Sequence, residues 1–162
     1  MGAGKTALGK ELATRLGYPF TDLDELIESE TACLIRDYFD KNGEASFREK
    51  EREILLKLVA GTNNDVVIST GGGTPCFSDN MEKMNNAGIT IFLDTPSEII
   101  LERLITKYKH RPLLKDIPVE ELPEFIKTHL ESRMQYYTRA RFRVTGFNDD
   151  LVPLLKCLEN SI

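Results

Sequence analysis

The chain is poor in the groups that build metal centres and disulfide frameworks. Its three cysteines, Cys33, Cys76 and Cys157, are odd in number, widely spaced and without a C-x-x-C pair, so they read as reduced thiols of a cytosolic protein. Only two histidines are present, His110 and His129, and neither stands at a spacing that completes a zinc site with those cysteines. Cation excess is missing too. The 21 Lys and Arg against 26 Asp and Glu leave a net charge of −5, which argues against a general binder of nucleic acid or of an anionic membrane. No apolar run approaches the ~20 residues of a membrane span. No charged-then-apolar segment opens the chain as a secretory signal would, and no internal repeat or low-complexity tract is found. What remains is 162 residues, 41% hydrophobic and 29% charged. That is the composition of one soluble domain with a core large enough to stand without disulfides.

Element types alternate along the chain. Thr6–Leu16 carries Leu8, Leu12, Ala13 and Leu16 at helical spacing, stopped by Gly17. Tyr18–Asp22 is a short strand. Asp24–Glu30, Leu34–Asn42 and Glu44–Ala60 read as helices punctuated by Gly43 and Gly61. Val66–Ser69 is a β-branched run of the kind covered on both faces. A helix over Ser78–Ala87 ends at Gly88, and Ile89–Leu93 is a second buried strand. Thr95, Pro96 and Glu98 open a helix that runs to about Lys107. Tyr108–Pro123 holds three prolines and many charges, the make-up of a long lid loop. A helix over Leu122–Thr138, a strand over Phe142–Val144 and a helix over Leu151–Leu158 close the chain. Strands alternating with helices predict an α/β sandwich with a mostly parallel sheet. The extra helices between Asp24 and Ala60 form a substrate-binding cap, residues 23–60, within a single domain, 1–162.

Met1-Gly2-Ala3-Gly4-Lys5-Thr6 is the tail of G-x-x-x-x-G-K-[ST]. Backbone N–H groups of such a loop face phosphate oxygens and the following helix adds its positive dipole end. Lys5 reaches the β/γ-phosphates and Thr6 offers its hydroxyl to Mg²⁺. The motif's first glycine would lie two positions before Met1, and the strand that normally feeds the loop is absent. A late start codon or a trimmed chain is the expectation, and loss of that central strand would expose two neighbouring edges. Asp22 and Asp24 follow a strand, and alternation would place both on one side at its C-terminal end. One would order Mg²⁺-bound water and the other would accept a substrate proton, unless Asp24 merely caps the next helix. Arg48 and Glu51 are three apart on a helix, either an ordinary exposed pair or an arginine held towards a carboxylate ligand. Gly71-Gly72-Gly73 after a strand allows a backbone approach that a side chain would block. Arg111 lies in the lid, where it can reach phosphates on closure. Arg133, four residues before Tyr137, is either a solvated helix residue or the second half of a carboxylate clamp with Arg48.

The ordered set DLD, FREKE, TGGG, RPLL and R-x-x-x-Y resembles the shikimate kinase family across nearly the whole chain; adenylate and gluconate kinases share the phosphate loop but not this set. The resemblance implies a three-layer α/β/α phosphate-loop kinase with a five-stranded parallel sheet, its first strand lost here. It implies ATP and shikimate as substrates, Mg²⁺ as cofactor, and a cytoplasmic monomer that makes shikimate 3-phosphate on the route to chorismate and aromatic amino acids. By the same resemblance Gly2, Ala3, Gly4, Lys5, Thr6 and Ala7, with Arg111, surround the nucleotide. Lys5, Asp24 and Arg111 are catalytic, and Asp22 and Thr6 serve the metal, Asp22 through water. Asp24, Arg48, Gly71, Gly72, Gly73 and Arg133 bind shikimate. At the adenine end Val144–Asp149 offers no arginine, though Pro153 follows, and Arg103 is an alternative stacking group. A kinase for another hydroxy acid such as gluconate, or a form that binds shikimate without catalysis, would be the rival reading.

Overall fold

The computed structural model describes residues 2–61, 65–107, 117–145 and 153–156. The chain divides into two compact units, Lys5–Thr90 on one hand and Met1–Gly4 with Ile91–Ile162 on the other.

In the first unit, α1 (Lys5–Leu16) buries Leu8, Leu12 and Ala13, the stripe that the sequence periodicity marks. It precedes β1 (Phe20–Asp22) and lies so close to it that a Cβ on Gly9 would come within 2.7 Å of the Phe20 ring. β1 pairs in parallel with β2 (Val67–Ser69), Phe20 opposite Val67 and Asp22 opposite Ser69. Parallel neighbours need a crossover, and here it is made by α2 (Leu23–Thr31) and α3 (Ile35–Gly61). Leu23, Ile27, Phe47, Ile54 and Leu55 form the core between these two helices. α3 is two helices in one: Gly43, at φ 77° and ψ 170°, interrupts it, where the sequence punctuation puts the break. A 3₁₀ turn at Thr74–Cys76 leads into α4 (Asn80–Ala87), shorter at its start than the predicted Ser78–Ala87 because Ser78 adopts a left-handed φ of 51° and Asp79 is the N-cap.

In the second unit, β3 (Ile91–Leu93) pairs in parallel with β4 (Phe142–Val144). The crossover is α5 (Ser97–Lys107) and α6 (Leu122–Tyr137), packed through Ile100, Leu104, Leu122 and Ile126. Tyr137 stacks on Phe92 at 5.1 Å, seating the end of α6 against β3. A 3₁₀ turn over Val119–Glu121 runs into α6, so the last residues of the expected lid, Leu122 and Pro123, are helical. Residues 108–116 of that lid lie outside the described residues, as does most of the expected closing helix, of which 153–156 are helical. The four strands thus stand as two parallel pairs among the described residues. No helix among them is long and apolar enough to cross a membrane.

Candidate active site

Gly2 and Gly4 adopt φ of +71° and +96°, a region that L side chains reach only with strain, and α1 begins directly at Lys5. Within its own unit, the Gly2–Ala3 segment is held by its carbonyls. Arg103 Nη1 donates to the oxygens of Gly2 and Ala3, each at 3.1 Å. Thr95 Oγ donates to the oxygen of Ala3 at 3.0 Å. Arg103 is seated on the loop by bonds in the plane of its guanidinium, an arrangement compatible with stacking through its faces. Thr95, read from sequence as part of a helix start, lies before α5 and is buried against the loop. On α1, Lys5 and Thr6 are half-buried and Ala7 is exposed.

On the acceptor side one carboxylate joins two elements. Asp22 Oδ2 accepts the Thr6 hydroxyl at 2.8 Å, and its Oδ1 accepts the backbone N–H of Asp24 at 3.0 Å. Asp22 is thus the N-cap of α2. This corrects two expectations. Asp24 does not cap the helix, and strand alternation does not relate the two aspartates, because β1 ends at Asp22 and Asp24 sits in the first turn of α2. The cap brings them together instead. Asp24 is open to solvent at its surface, yet protein crowds its carboxyl. Desolvation first, then the negative charges of Asp22 and Glu51, raise its pKa, with Lys5 acting in the opposite direction.

Arg48 and Glu51 are not an exposed helical pair: their side chains are only 12% and 1% accessible. Arg48 Nη1 donates to Glu51 Oε2 at 2.8 Å, while Glu44 Oε1 lies 3.3 Å from Nη2. Partial burial opposes the charge on Arg48, but Glu51, by charge and by hydrogen bond, and then Glu44 outweigh it and move its pKa up. The glycine triplet wraps this group. A Cβ on Gly71 would lie 2.9 Å from Glu51 Oε1 and 3.3 Å from Asp24 Oδ1, and one on Gly73 would lie 2.5 Å from Arg48 Nη2. Asp24, Arg48, Glu51, Gly71 and Gly73 are therefore assembled within one unit, and Gly72 lies between the two glycines in the same turn. The arrangement offers, against one stretch of bare backbone, a carboxylate with raised proton affinity and a guanidinium fixed by Glu51.

Arg133 is half-buried on α6, in the other unit from Arg48. Arg111 and the adenine-end residues 146–149 lie outside the described residues. Cys33 and Cys76 form no disulfide, and no group of three or more His, Cys, Asp or Glu that could hold a metal occurs among the described residues. Sequence reasoning missed Thr74 and Asn80, both wholly buried polar residues behind the site. A polar residue directly after a glycine triplet and an Asn at a helix start were the available signals.

A family model described as shikimate kinase matches residues 1–152. The shikimate kinase of Bacteroides fragilis is 47% identical over 142 residues, covering 88% of this chain and 78% of that protein. Among solved structures, shikimate kinase from Bacteroides thetaiotaomicron superposes with a TM-score of 0.90 at 40% identity, over 98% of this chain and 94% of the other. Shikimate kinase from Acinetobacter baumannii in complex with shikimate gives 0.87 at 33% identity, over 99% and 89%.

Proposed function

The chain belongs to the shikimate kinase family, an ATP-dependent group of enzymes, and we propose that it transfers the γ-phosphate of ATP to the 3-hydroxyl of shikimate through the residues assembled above. The hydroxyl oxygen of shikimate bonds to the γ-phosphorus. Its proton passes to Asp24, and the bond from that phosphorus to the β,γ-bridging oxygen breaks, its electron pair leaving with ADP. The raised pKa of Asp24 matches its proton affinity to that task. Lys5 and the loop's peptide N–H groups bear on the phosphates, where charge stabilisation is the main catalytic contribution. Arg111 joins them on the strength of the family resemblance. Arg48, held by Glu51, grips the acceptor carboxylate, and Arg133 shares that role on the strength of the family resemblance. The Thr6 hydroxyl and the Asp22 carboxylate are oxygen donors of the kind Mg²⁺ takes, and they would hold the ion directly and through water. Bound there, it supplies neutralisation of phosphate charge. A cytoplasmic monomer is the family expectation.

The observation that carries this reading is Arg48 fixed on Glu51 beside Asp24 and the glycine wall. Coupled ADP release should depend on both shikimate and Mg²⁺, and Lys5→Ala should remove most of it. Arg48→Lys and Arg133→Lys keep the charge but lose the two-pronged geometry. Each should weaken calorimetric shikimate affinity by about 10- to 100-fold, the equivalent of one charged hydrogen bond. The double variant should fall short of the product, since both arginines serve one carboxylate, and affinity for ATP should barely change. ADP release with gluconate but not shikimate would overturn the assignment.

A further inference from the structure

Behind Arg48 a chain of buried polar contacts leaves α3 and returns to it. Glu51 uses its two oxygens separately: Oε2 receives Arg48, and Oε1 receives the Thr74 hydroxyl at 2.7 Å. The Thr74 carbonyl in turn accepts from Asn80 Nδ2 at 2.9 Å. Asn80 Oδ1 accepts from Arg52 Nη1 at 2.7 Å, and Arg52 also pairs with Asp79 at 2.5 Å. Thr74 and Asn80 have no accessible surface, and Glu51 has almost none. Arg48, Glu51 and Arg52 stand at i, i+3 and i+4 of α3, so they share a helix face. The path therefore runs from one position on that face, through the 3₁₀ turn and the start of α4, back to another. The glycine turn is enclosed by it, since Thr74 N–H donates to the Gly71 carbonyl at 3.2 Å.

Three physical points give this arrangement a function beyond filling space. A carboxylate as buried as Glu51 needs donors on both oxygens, and without Thr74 one oxygen would be left to turn towards other donors. Glu51 sets the direction of the Arg48 guanidinium, because its Oε2 bond is the shortest that Arg48 makes among its described contacts. Thr74 is itself fixed from the far side, since Arg52, by holding the amide oxygen of Asn80, turns its N–H₂ towards the Thr74 carbonyl.

We propose that Thr74 and Asn80 are positioning residues for the acceptor arginine. The Thr74 hydroxyl orients the carboxylate on which Arg48 rests, and Asn80, oriented by Arg52, holds Thr74 and the glycine turn in register with it. This rests on the reading of Arg48 as the acceptor-carboxylate ligand. Neither residue touches the reacting atoms, so the expected signature is confined to shikimate.

The test uses Thr74→Val, which keeps shape but removes the hydroxyl, Thr74→Ser, which keeps the hydroxyl, and Asn80→Ala. Arg48→Lys serves as reference. Affinities for shikimate and for a non-hydrolysable ATP analogue are measured by calorimetry on the same preparations. Thr74→Val should lose about ten-fold in shikimate affinity, at the low end of a charged hydrogen bond because the effect reaches the ligand through Glu51. Thr74→Ser should restore it to within about two-fold, and Asn80→Ala should weaken it in the same sense, with the nucleotide affinity unchanged throughout. Should Thr74→Val fail to fold by circular dichroism, Asn80→Ala and Thr74→Ser decide the matter on the same criteria. Parent-like shikimate affinity in Thr74→Val or Asn80→Ala, or a Thr74→Ser as weak as Thr74→Val, overturns the proposal while a weakened Arg48→Lys leaves the active-site reading standing. Unchanged affinity in Arg48→Lys removes both.

Discussion

Asp24 is held in a charge state that the fold resists. Its carboxyl pKa is raised by desolvation and by the neighbouring carboxylates of Asp22 and Glu51. The folded protein therefore binds a proton that the unfolded chain, with a pKa near 3.9, has already lost over the same pH window. The resulting penalty is fully present above the folded-state pKa and vanishes below the unfolded-state one. Asp24→Asn removes the charge, so it should raise the melting temperature at pH 7, and the gain should shrink as the pH falls through that window. The same substitution removes the proton acceptor and should lower kcat by about 10²- to 10⁴-fold. A melt series against pH, run beside the activity assay, checks both; a destabilised Asp24→Asn at neutral pH would contradict this account. The acid limb of the parent's kcat/KM profile, which reports the free enzyme, should likewise be shifted up from the ordinary aspartate value.

At the level of elements, α3 shows what a local signal can and cannot carry. Gly43 was legible as a break because its φ of 77° is a conformation that glycine alone adopts without strain, and nothing lies within 4 Å of a Cβ built there. Gly43→Ala should therefore cost about 1–3 kcal/mol through backbone strain alone, read as a lower urea midpoint with an unchanged m-value. Full stability in that variant would show that the break tolerates a side chain. The same helix carries Arg48 and Glu51, whose i,i+3 spacing was visible but whose burial was not. An exposed pair and a buried one look alike in sequence, and the distinction is made by Thr74, 23 positions away. The aspartate pair was also half legible: its residue types pointed to the site, while the capping role went to Asp22 because β1 stops one residue before α2 begins.

For the whole molecule, the class and the parallel sense of the strands were legible because alternating β-branched runs and amphipathic helices permit parallel neighbours only through crossovers, as in both strand pairs here. Contacts made across long sequence separations left no trace. The seat of Arg103 on the Gly2 and Ala3 carbonyls, 101 and 100 positions apart, is one, and the Asn80–Arg52 contact is another. A ligand that binds only the folded chain stabilises all of it, by about 2.7 kcal/mol at a hundred times its dissociation constant. Shikimate should thus shift the thermal transition upward where gluconate at equal concentration does not, and the shift should be largely lost in Arg48→Lys. Equal shifts with both acids would show that the recognition is of a carboxylate alone.

Gly73 differs from Gly43 in what it is kept for. Its backbone, at φ −86° and ψ −22°, suits any residue, so the position is reserved by the guanidinium that fills the place of its missing Cβ. Positions 48 and 73 thus hold one volume in common, and the alphabet open to each is set by the occupant of the other. A shorter residue at 48 would release 73 to alanine or serine. In a lineage that changed acceptor, the two sites would be expected to drift as a linked pair, while Gly43 stayed glycine whatever the substrate became.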